Sequence, residues 1–283
     1  MTNNTKIRLI TVDMDGTLLD NNSKISQRSL DIIAKAQAQG VIFSICTGRF
    51  FENISILVKD YGLDCPLISL NGGKTSLAPF GESIASYKMP QESALATFWR
   101  LEKLDAHYFI FGEGFVAISH LGDLHHSQKD FGARMETEAN ITYYYGKEAC
   151  MQGISRGIFK YYIHAENDSQ KLARIRNGLL DIPDLNITQS SSANIEIMPR
   201  GIDKGKGVRD LARYFRIPLE EVMAIGDQDN DLPMLQVAGL SVAMSNATPE
   251  VKALADVITL SNAEDGVAAA IERYVLSYEI CQA

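Results

Sequence analysis

The sequence predicts an α/β protein: a doubly wound, Rossmann-like parallel-sheet core with an inserted α+β domain. Short apolar strands alternate with helices over residues 1–85, longer strands mix with helices over residues 86–193, and the first alternation returns over residues 194–283. Continuous apolar strands that alternate with helices are typical of a parallel sheet covered on both faces. We therefore expect a core made of residues 1–85 and 194–283, interrupted by a separate domain of residues 86–193.

The first segment supplies the opening strands of the core. Residues 6–12 (KIRLITV) form an apolar run rich in β-branched side chains, which Asp13 closes. Ser26 is a good N-cap for the next helix, and Gly40 is a good stop. The expected elements that follow are a strand over residues 41–46, a helix from about Phe50 to Tyr61 and a strand over residues 66–70.

The remaining elements follow the same signals. In the insert we expect strands over residues 107–111, 115–119 and 157–164, and helices over residues 91–104 and 168–180. In the returning core we expect strands over residues 194–198, 222–225 and 240–243, with helices from about Lys204 and after Asp231. Thr248-Pro249-Glu250 predicts one more helix start, because it offers a capping hydroxyl, proline at the first helical position and an acid against the dipole.

Composition and charge exclude several classes of protein. Hydrophobic residues make up 46% of the chain and charged residues 22%, which is the balance of a globular protein. The formal net charge of −8 disfavours nucleic acid as the main partner. We expect no membrane span, since no apolar run approaches 18 residues. We also expect no secretory signal, since residues 1–6 run directly into a strand pattern without a separate apolar region. The four cysteines are scattered without metal-ligand spacing, which favours reduced thiols and a cytoplasmic protein.

Polar clusters follow the predicted core strands, where open α/β sheets place their binding sites. The four clusters are residues 13–17 (DMDGT), 47–49 (TGR), 203–207 (DKGKG, after the strand 194–198) and 226–231 (GDQDND). Each cluster alone has an ordinary interpretation as a solvated turn, a surface cation or a helix cap. Their common position after strands suggests instead that they form one site.

The acidic residues of these clusters point to a divalent cation. If the strands are neighbours, Asp13, Asp15, Asp227 and Asp231 meet at one edge of the sheet. Two carboxylates about 4 Å apart repel by about 4 kcal/mol at an effective dielectric constant near 20. A hard divalent ion would neutralise them. With a threonine hydroxyl and a lysine nearby, the site suits a phosphoryl group, whose charge is spread over several oxygens.

These motifs resemble those of the haloacid dehalogenase superfamily. The four that carry the resemblance are residues 13–18 (DMDGTL), 47–49, Lys204-Gly205 and 226–231. Two further stretches, Asn71-Gly72-Gly73 and residues 242–247 (VAMSNA) with 265–267 (DGV), resemble the Cof-type branch, nearest its YidA-like sugar phosphatases. The resemblance covers the core in order. It implies that residues 86–193 form a C2-type cap, inserted between the second and third motifs, that selects the substrate.

The resemblance also implies catalytic roles. Asp13 matches the nucleophile that forms an aspartyl-phosphate, and Asp15 matches the general acid and base. Thr47 matches the hydroxyl that holds a phosphoryl oxygen. Lys204 matches the cation that steadies the nucleophile, with Lys206 as a nearby rival.

Metal and substrate ligands follow from the same comparison of motifs. The resemblance implies Mg²⁺ bound by the Asp13 carboxylate, the Asp15 backbone carbonyl and the Asp227 carboxylate, with Asp231 in support. It also implies that the substrate phosphate contacts Thr47, Gly48 and Asn230.

The expected function is a magnesium-dependent phosphatase of small phosphorylated metabolites, sugar phosphates first. A phosphomutase with the same nucleophile is one alternative, and a catalytically silent phosphometabolite-binding regulator is another. The presence of both Asp13 and Asp15 disfavours the silent regulator.

In the insert, several polar and aromatic residues could contact a substrate, although ordinary strand and surface roles explain each of them. They are His125, His126, Arg134, Lys160 and the three tyrosines of residues 143–145.

Overall fold

The computed structural model describes residues 6–120, 134–165, 168–189 and 193–278. The chain divides into two compact units. The first consists of Met1–Ala85 and Asp203–Ala283, and the second is Ser86–Ile202.

Strands and helices alternate through most of the chain. The strands, in chain order, are β1 Leu9–Val12, β2 Ile42–Cys46, β3 Leu67–Ser69, β4 Lys74–Ser76, β5 Ser83–Ser86, β6 Tyr108–Gly112, β7 Phe115–Ile118, β8 Thr142–Tyr145, β9 Ile158–His164, β10 Leu185–Thr188, β11 Asn194–Pro199, β12 Val222–Gly226, β13 Leu240–Ala243 and β14 Val257–Ile258. The helices include Gln27–Ala38, Phe51–Asp60, Gln91–Lys103, Lys147–Ser155, Ser169–Leu179, Lys204–Phe215, Leu232–Val237, Pro249–Leu254 and Gly266–Tyr274.

The sheet of the first unit is doubly wound. Its strand order is β14-β13-β12-β1-β2-β3-β4-β5, so the chain moves outward from β1 through β2 and β3, then returns to β12 on the other side of β1. The pairs from β14 to β3 are parallel, whereas β4 runs antiparallel to β3. All residues of β1 and β12 are buried, as expected for strands covered on both faces. This sheet confirms the predicted α/β, Rossmann-like core.

Two helices of this unit begin at the predicted caps. The Ser26 side chain accepts a hydrogen bond from the backbone N–H of Ser29, and the helix Gln27–Ala38 follows it. The Thr248 side chain likewise accepts a hydrogen bond from the backbone N–H of Val251, and the helix Pro249–Leu254 follows it with proline at its first position. These side chains satisfy N–H groups that have no partner inside the helix.

The second unit is an α+β domain with its own sheet. The strand order is β10-β11-β9-β6-β7-β8, and the pairs are antiparallel except for β7 with β8. Buried aromatic side chains fill its separate core, among them Phe98, Tyr108 and Tyr161. The Tyr161 hydroxyl donates to the Ala94 carbonyl at 2.7 Å, so this buried polar atom has a partner.

The expected position of the strand over residues 194–198 was wrong. This segment is β11, which pairs antiparallel with β9 and β10 in the sheet of the second unit rather than in the core. A buried ion pair between Glu196 on β11 and Lys160 on β9, at 3.0 Å, crosses these two strands. An apolar strand carries no local signal for its neighbour, so partners distant in sequence decide the sheet. The second unit therefore ends at Ile202 rather than Ala193, directly before the helix that carries Lys204.

Within the described residues, every helix is too short or too polar to cross a lipid bilayer.

Candidate active site

Three carboxylates meet at the carboxyl ends of β1 and β12. Asp13 directly follows β1, and Asp227 directly follows β12. Because these strands are parallel neighbours, the two residues lie side by side at one edge of the sheet. Asp231 joins them from the turn after β12, and one oxygen of each carboxylate lies within 4.8 Å of the others. All three side chains are buried, Asp231 completely.

Lys204 places a buried cation inside this acidic cluster. Its Nζ donates to Asp13 Oδ1 and to Asp231 Oδ1, each at 2.5 Å, and the lysine has no exposed surface. Lys206, the alternative candidate for this role, has a different partner: its Nζ pairs with Asp210 one turn along the same helix. The geometry therefore associates Lys204, and not Lys206, with Asp13.

Asp231 is already occupied by protein donors on both of its oxygens. Oδ1 accepts from Lys204, whereas Oδ2 accepts the backbone N–H groups of Asp227, at 2.8 Å, and Gln228, at 2.9 Å. A side chain at Gly226 would collide with it, since a Cβ there would lie 2.6 Å from the Cβ of Asp231. These contacts suit Asp231 to holding Lys204 and Asp227 in place rather than to binding a ligand itself.

Burial and mutual repulsion shift the proton affinities of these groups. Burial first, and then the charge of Asp231, raises the pKa of Asp13 well above its ordinary value and that of Asp227 to about 6. For Lys204, burial lowers the pKa, but Asp13 and Asp231 outweigh it and hold the pKa well above the ordinary value. With the carboxylates ionised, three negative charges face one positive charge.

This donor set fits a divalent metal ion. The imbalance of two negative charges matches one M²⁺ ion, and carboxylate oxygens are the ligands that Mg²⁺ prefers. Each oxygen of Asp227 accepts a single neutral side-chain donor. Asp231 instead holds the charged Lys204 and two backbone N–H groups, so Asp13 and Asp227 are the carboxylates better placed to bind such an ion.

The loop after β1 is shaped around Asp227. Gly16 has a positive φ of 81°, and a Cβ at this position would lie 2.5 Å from Asp227 Oδ2. The next residue, Thr17, donates its hydroxyl hydrogen to Asp227 Oδ1 at 2.7 Å. Glycine is therefore required by both conformation and space, and threonine orients a carboxylate that faces the site.

Asp15 lies apart from the buried carboxylates. Its side chain is about half exposed, and both of its oxygens accept hydrogen bonds from Arg49, at 2.8 Å from Nε and 2.6 Å from Nη2. Sequence reasoning missed this pair, although Arg49 belongs to the cluster that follows β2, the parallel neighbour of β1. A bidentate pair of this kind fixes the orientation of the carboxylate.

Thr47 and Asn230 reach the same end of the sheet from β2 and β12. Both side chains are buried. Asn71 connects them, since its backbone N–H donates to the Thr47 carbonyl at 3.0 Å and its Oδ1 accepts from Asn230 Nδ2 at 3.2 Å. The sequence marked Asn71-Gly72-Gly73 only as part of a resemblance and assigned it no task. Gly48 follows Thr47 in the same turn.

Three of the candidate residues of the insert make ordinary structural contacts. Lys160 is buried against Glu196, Arg134 pairs with Glu138, and the Tyr144 hydroxyl accepts from Arg156. His125 and His126 lie outside the described residues.

The acidic cluster lies at the switch point of a doubly wound sheet, where open α/β proteins bind their ligands. Residues 10–271 match the family model described as haloacid dehalogenase-like hydrolase, and the chain belongs to this family. Several relatives that resemble the chain over nearly its whole length are named as phosphatases. We therefore assign the chain as a phosphatase of this family, as its motifs predicted.

Among these relatives is the 5-amino-6-(5-phospho-D-ribitylamino)uracil phosphatase YcsE of Bacillus subtilis, 32% identical over 274 residues, which cover 95% of this chain and 96% of that protein. Solved structures of haloacid dehalogenase-like proteins also resemble the chain over nearly its whole length. A haloacid dehalogenase-like hydrolase from Bacteroides thetaiotaomicron is 28% identical with a TM-score of 0.78, over 95% of this chain and 99% of its own. The subclass IIB sugar phosphatase BT4131 is 25% identical with a TM-score of 0.76, over 94% and 98%.

Proposed function

We propose that this phosphatase is magnesium-dependent and hydrolyses small phosphorylated metabolites through an aspartyl-phosphate on Asp13. The observation that carries the proposal is the Asp13–Lys204–Asp231 cluster. Lys204 neutralises part of the charge on Asp13 and fixes one of its oxygens, which leaves the other oxygen for attack on phosphorus. Bound Mg²⁺, held by the carboxylates of Asp13 and Asp227 and the backbone carbonyl of Asp15, would withdraw charge from the phosphoryl oxygens.

The reaction would then proceed in two chemical steps, in which Asp13 and Asp15 have different roles. In the first step, an oxygen of Asp13 bonds to phosphorus, the ester P–O bond breaks, and Asp15 gives its proton to the departing alcohol. In the second step, water attacks the same phosphorus, Asp15 takes the proton of the water, and the bond to Asp13 breaks to release inorganic phosphate. Thr47, Gly48 and Asn230 would hold the phosphoryl oxygens in line with Asp13.

Asp15 must change partners to take part in these steps. Both of its oxygens accept from Arg49 in this structure, so at least one of these hydrogen bonds has to open before Asp15 can donate to a leaving oxygen.

Sugar phosphates and related polyol phosphates are the substrates that we favour. One relative is named for a phosphate on a ribityl chain, and one similar structure is titled a sugar phosphatase. Both names describe a phosphate ester on a polyhydroxylated carbon chain. All the motif residues lie in the first unit, so we propose that the second unit acts as the cap and selects the alcohol part.

Metal removal tests the proposal directly. Dialysis against EDTA should abolish phosphate release from a panel of sugar and polyol phosphates, because the excess negative charge of the cluster would then repel the substrate. Added Mg²⁺ should restore it. The measurement is the phosphate released over time, before and after metal is returned. Full activity in a preparation shown to be metal-free would overturn the proposed mechanism.

The role of Asp15 predicts a dependence on the leaving group. Asp15→Asn should slow the first step much more for a sugar phosphate than for p-nitrophenyl phosphate, because an acidic phenol departs without a donated proton. Rapid-mixing burst kinetics would separate this step from hydrolysis of the aspartyl-phosphate. Equal losses of the first-step rate on both substrates would contradict the general-acid role.

A further inference from the structure

The turn that follows β3 has an unusual backbone. Leu70 and Asn71 both have positive φ angles, 53° and 51°, and Gly72 continues the series at 89°. A Cβ on Gly72 would lie 2.1 Å from the Asp203 carbonyl oxygen, so this turn packs directly against the start of the helix that carries Lys204. The left-handed region is unfavourable for a residue such as Leu70, whereas asparagine and glycine tolerate it, so Asn71 suits the centre of this turn.

Asn71 occupies the centre of this turn and touches two segments of the site. It is 2% exposed, its backbone N–H donates to the Thr47 carbonyl, and its Oδ1 accepts from Asn230 Nδ2. Thr47 follows β2 and Asn230 follows β12, on either side of β1. One buried residue with a left-handed backbone thus connects the two segments that supply the expected phosphate contacts.

The partner of Asn71 has an amide oxygen that is not satisfied. Asn230 Oδ1 is buried and accepts no hydrogen bond from the described part of the chain. An asparagine amide has one acceptor and two N–H donors, and its orientation is set by the hydrogen bonds that it makes. In this structure Asn71 Oδ1 accepts from Asn230 Nδ2, which turns the amide oxygen of Asn230 away from Asn71.

We propose that Asn71 is a positioning residue for Asn230. It holds the Asn230 amide in one orientation, with one N–H available to a phosphoryl oxygen and with the unsatisfied oxygen available to a water or hydroxyl beside it. This inference rests on the proposed function, in which Asn230 contacts the substrate phosphate. The Asn71 side chain acts through Asn230 rather than on the substrate itself.

A double-mutant cycle tests this dependence. Asn71→Gly removes the side chain and keeps the left-handed backbone, and Asn230→Ala removes the amide that it orients. Calorimetry would measure the Kd of inorganic phosphate, with Mg²⁺ present, for the wild type, both single variants and the double variant. We expect Asn71→Gly to weaken phosphate binding about tenfold in the wild-type background and by less than about twofold in Asn230→Ala.

The control is Asn140→Gly, which makes the same change at an exposed residue of the second unit with a similar φ of 53° and should leave phosphate binding unchanged. If Asn71→Gly does not fold, Asn71→Ala replaces it in the cycle. The backbone strain that alanine adds at this position is the same in the wild type and in Asn230→Ala, so it cancels when the two changes in phosphate affinity are compared. Equal weakening in both backgrounds, or none in either, would overturn the inference. Calorimetry needs no turnover, so a wild type that binds phosphate but hydrolyses no ester would refute only the proposed function.

Discussion

Asp13→Asn is expected to lower turnover by about four orders of magnitude or more while the fold stays intact. The substitution keeps the shape of the side chain and removes the charge that attacks phosphorus. An amide can still accept a hydrogen bond from Lys204, so the packing around the buried lysine has no reason to change. The measurement is kcat for a sugar phosphate with saturating Mg²⁺, beside circular dichroism and the thermal midpoint of the same preparation.

The control for this experiment is Asp31→Asn, the same chemical change at an exposed position of the helix Gln27–Ala38. It should leave turnover unchanged. Residual activity of Asp13→Asn within about tenfold of the wild type would exclude covalent catalysis by Asp13 and move the nucleophile elsewhere.

Lys204→Met is expected to damage both stability and activity. Without the lysine, Asp13 and Asp231 stay buried with no positive charge between them, and breaking a buried ion pair from one side costs about 3–5 kcal/mol of unfolding free energy. Turnover should also fall by about a thousandfold, since the cation no longer stabilises the charge that develops on the phosphoryl group. Urea denaturation in metal-free buffer and kcat with Mg²⁺ are the two measurements.

Lys206→Met provides a matched control two residues away on the same helix. Lys206 pairs with the buried Asp210, which also pairs with Arg213 and so keeps a cation partner in the variant. The loss of Lys206 should therefore cost less unfolding free energy than the loss of Lys204 and leave kcat unchanged. Added Mg²⁺ should raise the unfolding free energy of Lys204→Met more than that of the wild type, because the variant has one more uncompensated negative charge. Similar effects of the two substitutions would show that Lys204 has no special place in the site.

The sequence was a good guide wherever the signal is local. The apolar strands β1, β2 and β12 and the caps Ser26 and Thr248 were predicted from short stretches, because burial and capping act over a few residues. The parallel core sheet followed from the alternation of these elements.

Contacts between distant segments were harder to predict. The strand β11 was assigned to the wrong sheet, since its partners β9 and β10 are chosen by packing across the second unit. The Asp15–Arg49 pair and the Asn71–Asn230 pair also went unforeseen. Each joins loops that follow different strands, and the spacing of residues along the chain does not report which side chains those loops turn towards each other. The roles assigned to the site residues stay predictions until the variants are measured.

The pairing of β1 with β12 also constrains how the chain is made. Leu9 lies opposite Val222 at the centre of the sheet, with the whole second unit encoded between them. During synthesis, the backbone N–H and C=O groups on one edge of the apolar strand β1 therefore stay unpaired until the last third of the chain emerges, and such an edge is a template for intermolecular pairing. Lys204 and Asp227 arrive in the same late stretch. A polypeptide interrupted before it would be both inactive and prone to aggregate, so synthesis must be nearly complete before the enzyme exists in any useful form.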